Sequence, residues 1–320
     1  MQKILITGFS GFVAKHFLDF LERMKIRSHV LGIDVFDYPF KTDDFKFLSC
    51  TFEKVDLLER EKIENLIFRF QPEFVLHLAS FSSVAFSWRE PVTSFMNNTN
   101  IFLNLVEAIR RLNLKTRILS VGSSEEYGTV AKSQLPFVET NQLFPNSPYA
   151  VARVAQENLS QVYVKSFSQD ILLTRSFNHF GPGQKEIFVV SGFAKQLVEL
   201  KRKKKAERIL LVGDISIVRD FVDVRDVVSA YYELFLNGKS GEVYNVCSGK
   251  GISLKEIIEK LSEILDIEVK IQTDKNLIRP SDNKEIIGSN EKIQKEIGWT
   301  PKIPLKKSLM DIVSFWEGSM

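Results

Sequence analysis

The chain has 320 residues, enough for one large core or two fused domains, and its 44% apolar and 26% charged fractions are ordinary for a globular protein. A formal net charge of +3 gives no field that would draw in nucleic acid, and Cys50 and Cys247 stand far apart with no second ligand nearby, against a disulfide scaffold or a zinc site. No basic-then-apolar leader precedes the first strand pattern and no apolar run approaches the roughly 20 residues of a membrane span. The expectation is a cytoplasmic protein with no membrane and no nucleic-acid partner.

Lys3–Thr7 reads as a strand, Gly11–Met24 as a helix and His29–Ile33 as a second strand. Helix patterns follow at Glu59–Phe70, Val92–Leu112 and Tyr149–Ser166, and strand-like runs at Phe74–Leu78, Arg117–Val121 and Ile171–Thr174. The strands are apolar enough to be buried on both faces. Strand–helix alternation of that kind predicts a parallel, doubly wound α/β sheet with helices on both sides. After about residue 175 the rhythm loosens, punctuated by Pro182, Gly183, Pro280, Pro301 and Pro304. Phe193–Leu200 is helix-like and the basic run Lys201–Lys205 reads as its solvated end. Val224–Leu236 and Ser253–Leu265 are helices and Glu242–Val246 a strand. The 26 phenylalanines are scattered and read as core filler.

Between the first strand and the first helix lies Thr7-Gly8-Phe9-Ser10-Gly11-Phe12-Val13-Ala14. Gly8 permits a tight turn, Gly11 lets backbone approach a pyrophosphate, and Ala14 stands for the third glycine at the helix–strand contact. The amides and dipole of that helix then hold the anion. Asp34 ends the second strand where a carboxylate reaches adenosine ribose hydroxyls, or serves as an ordinary turn residue. It would repel a 2′-phosphate, so NAD(H) is favoured and NADP(H) is the other candidate. Two more strand ends face the same way: Val55-Asp56-Leu57 towards the adenine, and His77-Leu78-Ala79-Ser80, small enough for a nicotinamide ribose to pass. His77 itself reads as a packed strand residue. The organisation that follows is a Rossmann-type dinucleotide-binding domain over 1–175 with a return near 215–236. A smaller C-terminal domain, mainly substrate-binding, covers 176–320.

Gly122-Ser123-Ser124-Glu125-Glu126-Tyr127-Gly128 follows the fifth strand and brings hydroxyls and a carboxylate to the sheet's carboxyl edge. Ser147 then caps the next helix and Pro148 suits its first turn, which leaves Tyr149 and Arg153 one turn apart on one face. A cation beside a phenol favours phenolate and equips the tyrosine to exchange a proton. On spacing alone, an ordinary surface pair is the commoner outcome.

Taken in this order, the segments Thr7–Ala14, His77–Ser80, Ser123–Gly128, Ser147–Arg153 and Arg219–Asp226 resemble the extended short-chain dehydrogenase/reductase family of nucleotide-sugar-modifying enzymes. Phe177–Gln184, Phe188–Gln196, Arg279–Asp282 and Gly298-Trp299-Thr300-Pro301 narrow the resemblance to its GDP-mannose 4,6-dehydratase and GDP-4-keto-6-deoxy-D-mannose reductase branch. The resemblance implies Ser123 and Tyr149 as the hydroxyl pair, with Arg153 where the family carries lysine. It places Asn178, Lys195, Arg219 and Arg279 on the sugar nucleotide and its phosphates, for which arginine forks are suited. It implies reduction of the C4 keto group of a GDP-4-keto-6-deoxy-hexose by NAD(P)H. Glu125, at the position of the dehydratases' glutamate, keeps 4,6-dehydratase or 4-epimerase chemistry open. Arg153 also leaves open a dinucleotide-binding protein that has lost catalysis. Pairing of the two long helices into a four-helix interface, and so a homodimer, follows from the same resemblance.

Overall fold

Alternate residues of each central strand enter opposite cores. The structure, a computed structural model, describes residues 1–129, 132–278 and 283–319. Ile4 and Ile6 pack on one side with Leu76, Leu119 and Leu172, while Leu5 packs on the other with Val75, Ile118 and Ile171. A strand buried on both faces must be apolar at every position, and this is why these segments read as continuous apolar runs.

The strands concerned are β1 (Gln2–Thr7), β2 (Ser28–Asp34), β3 (Leu48–Lys54), β4 (Phe74–His77), β5 (Arg117–Ser123) and β6 (Asp170–Ser176). With a later strand from the second half of the chain they form a seven-stranded sheet in which every pairing is parallel. Helices α1 (Phe12–Arg23), α2 (Arg60–Phe70), α3 (Val84–Arg89), α4 (Pro91–Arg111) and α5 (Pro148–Phe167) connect them. The order places β1 beside β4, with β2 and β3 to one side and β5 and β6 to the other. That reversal opens a crevice outside the carboxyl ends of β1 and β4, the place where open α/β sheets bind ligands.

Beyond β6 come β7 (Asn178–Phe180), α6 (Val189–Lys201), β8 (Ile209–Val212), β9 (Val218–Asp223), α7 (Val224–Asn237) and β10 (Val243–Val246). β10 is the seventh strand of the large sheet, paired with β6, and α7 packs on α1. The chain then leaves again through β11 (Gly251–Ser253), α8 (Leu254–Leu265), β12 (Lys270–Thr273), β13 (Glu285–Ile286), α9 (Glu291–Ile297) and α10 (Leu305–Ser319). β9 lies between β11 and β13 and also pairs with β7, and β8 pairs with β12. A second core gathers Leu197, Leu210, Ile257, Leu261, Leu309 and Ile312 from α6, β8, α8 and α10. α6 ends at Lys201, and the lysines that follow are exposed. The phenylalanines divide: Phe17, Phe102 and Phe177 are in the interior, but Phe36 and Phe68 are 68% and 60% exposed, so core filler describes only part of them.

Candidate active site

Gly8 follows β1 with φ +71°, a conformation costly for any residue with a Cβ. A Cβ there would lie 2.8 Å from the Ala79 amide nitrogen, so the turn and the end of β4 meet backbone to backbone. Gly11 is the N-cap of α1 and brings no side-chain cap, which leaves the helix's first amides for an external anion. Phe12 and Val13 are partly buried against the first core and Ala14 fully buried in it. The Phe9 ring turns inward onto Tyr38, Phe40 and Phe52, and its amide donates to the Ile33 carbonyl, so its side chain faces away from the crevice.

Asp34 stands at the end of β2 with its carboxylate occupied. Oδ2 accepts from the Ser10 amide at 2.9 Å and the Ser10 hydroxyl at 2.6 Å; Oδ1 accepts from the amides of Val35 and Phe36. An ionised carboxylate offers about four lone-pair sites. Ribose hydroxyls would therefore take the place of the Ser10 hydroxyl rather than fill an empty acceptor. Asp56 accepts from the Leu58 amide ahead of α2, and Leu57 is a buried core residue whose carbonyl accepts from Asn104. Leu78 and Ala79 donate their amides to the Thr7 carbonyl and hydroxyl, and Ser80 Oγ is buried without a partner. The uncapped helix start, the glycine turn and that orphaned hydroxyl along one crevice fit a dinucleotide.

His77 is sealed beneath this edge, bonded to Thr7 Oγ1 at 2.9 Å and set against Phe102. Burial, and secondarily the Arg153 charge, hold its imidazole down to about 3, so it stays neutral and packed.

On the other side of β4, Ser123 closes β5 and opens a single 3-10 turn, Ser124–Tyr127. Its Oγ accepts from the Glu125 amide at 3.2 Å. α5 begins as its sequence dictates: Ser147 Oγ accepts from the Ala150 amide at 3.1 Å and Pro148 occupies the first turn. Tyr149 and Arg153 are buried on the face of α5 that meets β5. Arg153 Nε donates to Tyr149 Oη at 3.3 Å, and its Nη1 donates to the Val121 carbonyl at 3.0 Å and to Gln156 Oε1 at 2.7 Å. Gln156 in turn donates to Ser120 Oγ at 2.8 Å. The Val121 bond fastens the tyrosine's helix to β5 two residues before Ser123. Arg153 has no carboxylate partner among the described residues; its buried guanidinium is held by the Val121 carbonyl, the Gln156 amide oxygen and the Tyr149 hydroxyl, and its Cζ lies 5.3 Å from the centre of the Tyr149 ring.

Asn178 begins β7 two residues past the end of β6, where Ser176 lies opposite Ser123, and so reaches the same sheet edge. Arg219 lies on β9, which pairs with β7; its Nη1 donates to the carbonyls of Val218 and Asn283. Arg279 lies outside the described residues. Lys195 is not brought to this group: it pairs with Glu186 at 3.0 Å and sits over the Trp316 ring. The charged residues that follow Arg219 are structural. Asp220 accepts from Ser248, Gly249 and Gly288, and Arg225 forks onto Asp223 and reaches Asp311. Asp226 accepts the amides of Lys302 and Ile303. Gln156 and Glu126 escape a motif-based reading, although the first shares the buried α5 face of Tyr149 and Arg153 and the second completes a Ser-x-x-Glu capping box with Ser123.

The GDP-mannose 4,6-dehydratase family model matches residues 5–312. The chain belongs to that family. It is 35% identical over 316 residues to the GDP-6-deoxy-D-mannose reductase of Pseudomonas aeruginosa, covering 99% of this chain and 97% of the relative. The solved structure of RMD from P. aeruginosa complexed with NADPH superposes with a TM-score of 0.86 at 33% identity, all of both chains being covered. The UDP-glucose 4-epimerase of Thermus thermophilus in complex with NAD superposes at 0.85 with 27% identity, again over all of both chains. The doubly wound α/β sheet of this family member and its resemblance to extended short-chain reductases therefore stand as read from the sequence. Among its described residues no helix is long and apolar enough to cross a membrane.

Proposed function

We propose that the protein reduces the C4 keto group of a GDP-4-keto-6-deoxy-hexose, with a nicotinamide dinucleotide as reductant. The observation that carries this reading is the Tyr149–Arg153 pair, buried on α5 and fastened to β5 beside Ser123, in a chain with a reductase relative matched end to end. The bound dinucleotide supplies the hydride. Tyr149 donates its phenolic proton to the C4 oxygen while Ser123 Oγ bonds the same oxygen, and the adjacent guanidinium of Arg153 stabilises the charge left on the phenol. The glycine turn and the start of α1 hold the pyrophosphate, Asp34 the adenosine ribose, Asp56 and Leu57 the adenine edge, and Leu78, Ala79 and Ser80 line the way to the nicotinamide. Asn178 and Arg219, with Arg279, take the sugar nucleotide; Lys195 would have to leave Glu186 to join them. Incubation with GDP-4-keto-6-deoxy-mannose and NADH or NADPH should yield a GDP-deoxysugar with stoichiometric cofactor oxidation. Absence of both would sink the proposal.

A second reading rests on Glu125, half-buried two residues after Ser123 and so able to act as base for a 4,6-dehydratase or epimerase. Turnover without net cofactor consumption would favour it. Asp34 supports NADH over NADPH through repulsion of a 2′-phosphate, whereas a relative's structure holds NADPH. The ratio of kcat/KM for the two cofactors decides. We place the protein in the cytoplasm and assemble it as a homodimer through α4 and α5, where an open groove of about 670 Å³ is lined by Trp88, Val92, Phe95, Met96 and Val151.

A further inference from the structure

Two adjacent glutamates on the turn after β5 meet opposite surroundings. Glu125 is half-buried and Glu126 fully buried. Glu126 Oε1 accepts the Ser123 amide at 2.6 Å, the short bond that closes the capping box. Gly122 makes the room: a Cβ there would lie 2.4 Å from that Oε1 and 2.5 Å from the Thr174 carbonyl. Glu126 Oε2 is sealed from solvent and receives no donor. The group beside it is Glu157, on α5, whose carboxylate is already held by Arg175 through Nε at 3.0 Å and Nη2 at 2.7 Å. Arg175 spends its remaining valence on the Glu139 carbonyl and on the face of Tyr127. One guanidinium serves one carboxylate here. A second bare anion beside it, buried and with a single amide as donor, is strongly disfavoured.

We propose that Glu126 is a positioning residue that works as a neutral carboxylic acid, holding the Ser123 amide on Oε1 and donating an O–H hydrogen bond from Oε2 to the Glu157 carboxylate while keeping its proton. Burial first, and then the Glu157 charge, push its carboxyl well above the usual carboxylate range, in the direction this requires. The geometric consequence is a link between the two hydroxyls. Tyr149, Arg153 and Glu157 recur at intervals of four along α5 and share a face, so the acid ties the serine's strand end to the tyrosine's helix. Both hydroxyls must meet one substrate oxygen, and displacement of either by about 1 Å can cost about 10²-fold in rate. This inference rests on the proposed roles of Ser123 and Tyr149.

The test compares Glu126→Leu, which deletes both bonds, with Glu126→Gln, which keeps an acceptor for Ser123 and supplies an N–H to Glu157. Glu126→Leu should lower kcat by about 10²-fold with the KM for the dinucleotide unchanged, and Glu126→Gln should restore most of that loss. A Gln variant as slow as the Leu variant would overturn the neutral acid, and a Leu variant with wild-type kcat would overturn the positioning role. Infrared difference spectra of wild type against Glu126→Gln need neither substrate nor cofactor. At neutral pH they should contain the carbonyl band of a protonated carboxylic acid, and its absence overturns the proposal even if Glu126→Leu does not fold. An inactive wild type that shows the band would sink the reductase reading alone; faster amide exchange across 122–127 in Glu126→Leu then supports the positioning role, and unchanged exchange overturns it.

Discussion

Arg153 carries a full charge in a buried site with only dipoles for company, and the geometry says why it is tolerated. A guanidinium is planar and presents donors in a fixed fork, so it needs acceptors placed to match. Val121 supplies a carbonyl and Gln156 an amide oxygen on the same Nη1, and Ser120 orients the Gln156 amide. A lysine at this position would be a point charge with rotatable donors and would need no such frame. Gln156→Leu should therefore lower kcat about tenfold when residue 153 is arginine and far less in the Arg153→Lys background, with a coupling above about 0.5 kcal/mol in a double-mutant cycle. Additive effects would show that Gln156 merely fills space. Tyr149→Phe should cost about 10²- to 10⁴-fold in kcat, the usual worth of a positioned proton donor. Ser123, Tyr149 and Arg153 were legible because their places in the strand–helix order single them out. Gln156, Glu157 and Arg175 were not, because bonds that satisfy them run between α5 and the strands β5 and β6, which only the folded chain brings together; Glu126 carried only the local Ser-x-x-Glu signal, which says nothing of its burial. The glycine-turn motif specifies the backbone at Phe9 and not the direction of its ring, which packs on Tyr38, Phe40 and Phe52.

At the scale of elements, continuous apolar runs marked β1, β2, β4, β5 and β6, and helical periodicity marked α1, α2, α4, α5, α7 and α8 to within a few residues, while α6 was read only from Phe193 and α10 was given no range. β3 was not given a range although Leu48, Cys50 and Phe52 alternate with the exposed Ser49, Thr51 and Glu53, the period-2 pattern of a strand at the sheet's margin rather than the continuous apolar run of the central strands. β7, β11 and β13 have three, three and two residues, too short for any period to register. Two junctions set the site and can be tested. Gly8→Ala forces a Cβ against the Ala79 amide at a positive φ, so the turn must move; a loss of about 1 to 3 kcal/mol in stability is expected, together with weakened dinucleotide binding by titration calorimetry. Unaltered cofactor affinity in a folded variant would remove the turn from the binding site. Ser147→Ala removes the cap of α5 at the turn that carries Tyr149 and should cost about 1 kcal/mol in urea unfolding.

For the molecule as a whole, the chain's return to the large sheet through α7 and β10 is secured from the far end. Trp299 Nε1 donates to the Asp226 carbonyl at 3.1 Å and Ser229 Oγ at 3.0 Å, while the Asp226 carboxylate takes the backbone amides of Lys302 and Ile303. Of the run Arg219–Asp226 only Arg219 reads as site chemistry in the sequence; in space Asp220, Asp223, Arg225 and Asp226 are masonry. The groove along α4 and α5 makes a separate claim: Val92 is 69% and Met96 53% exposed, so a paired copy would cover apolar area that water now wets. Met96→Glu should leave the fold intact and shift the sedimenting species from dimer to monomer, and a wild type that sediments as a monomer would refute the pairing. Stability should also depend on pH in a way that follows from two sealed groups of opposite sense. His77 ionises near 6.5 when exposed and only near about 3 when folded, so between these values the unfolded chain binds the extra proton and stability falls as pH falls. Glu126 is displaced upward, so the folded state keeps its proton longer and stability falls as pH rises above the ordinary carboxylate range. Where both groups act the two slopes oppose each other, so the check is comparative: from neutral pH down towards pH 4 the urea midpoint of His77→Asn, whatever its baseline cost, should fall less, or rise more, than that of wild type. A variant as steep as wild type would assign the limb to groups other than His77.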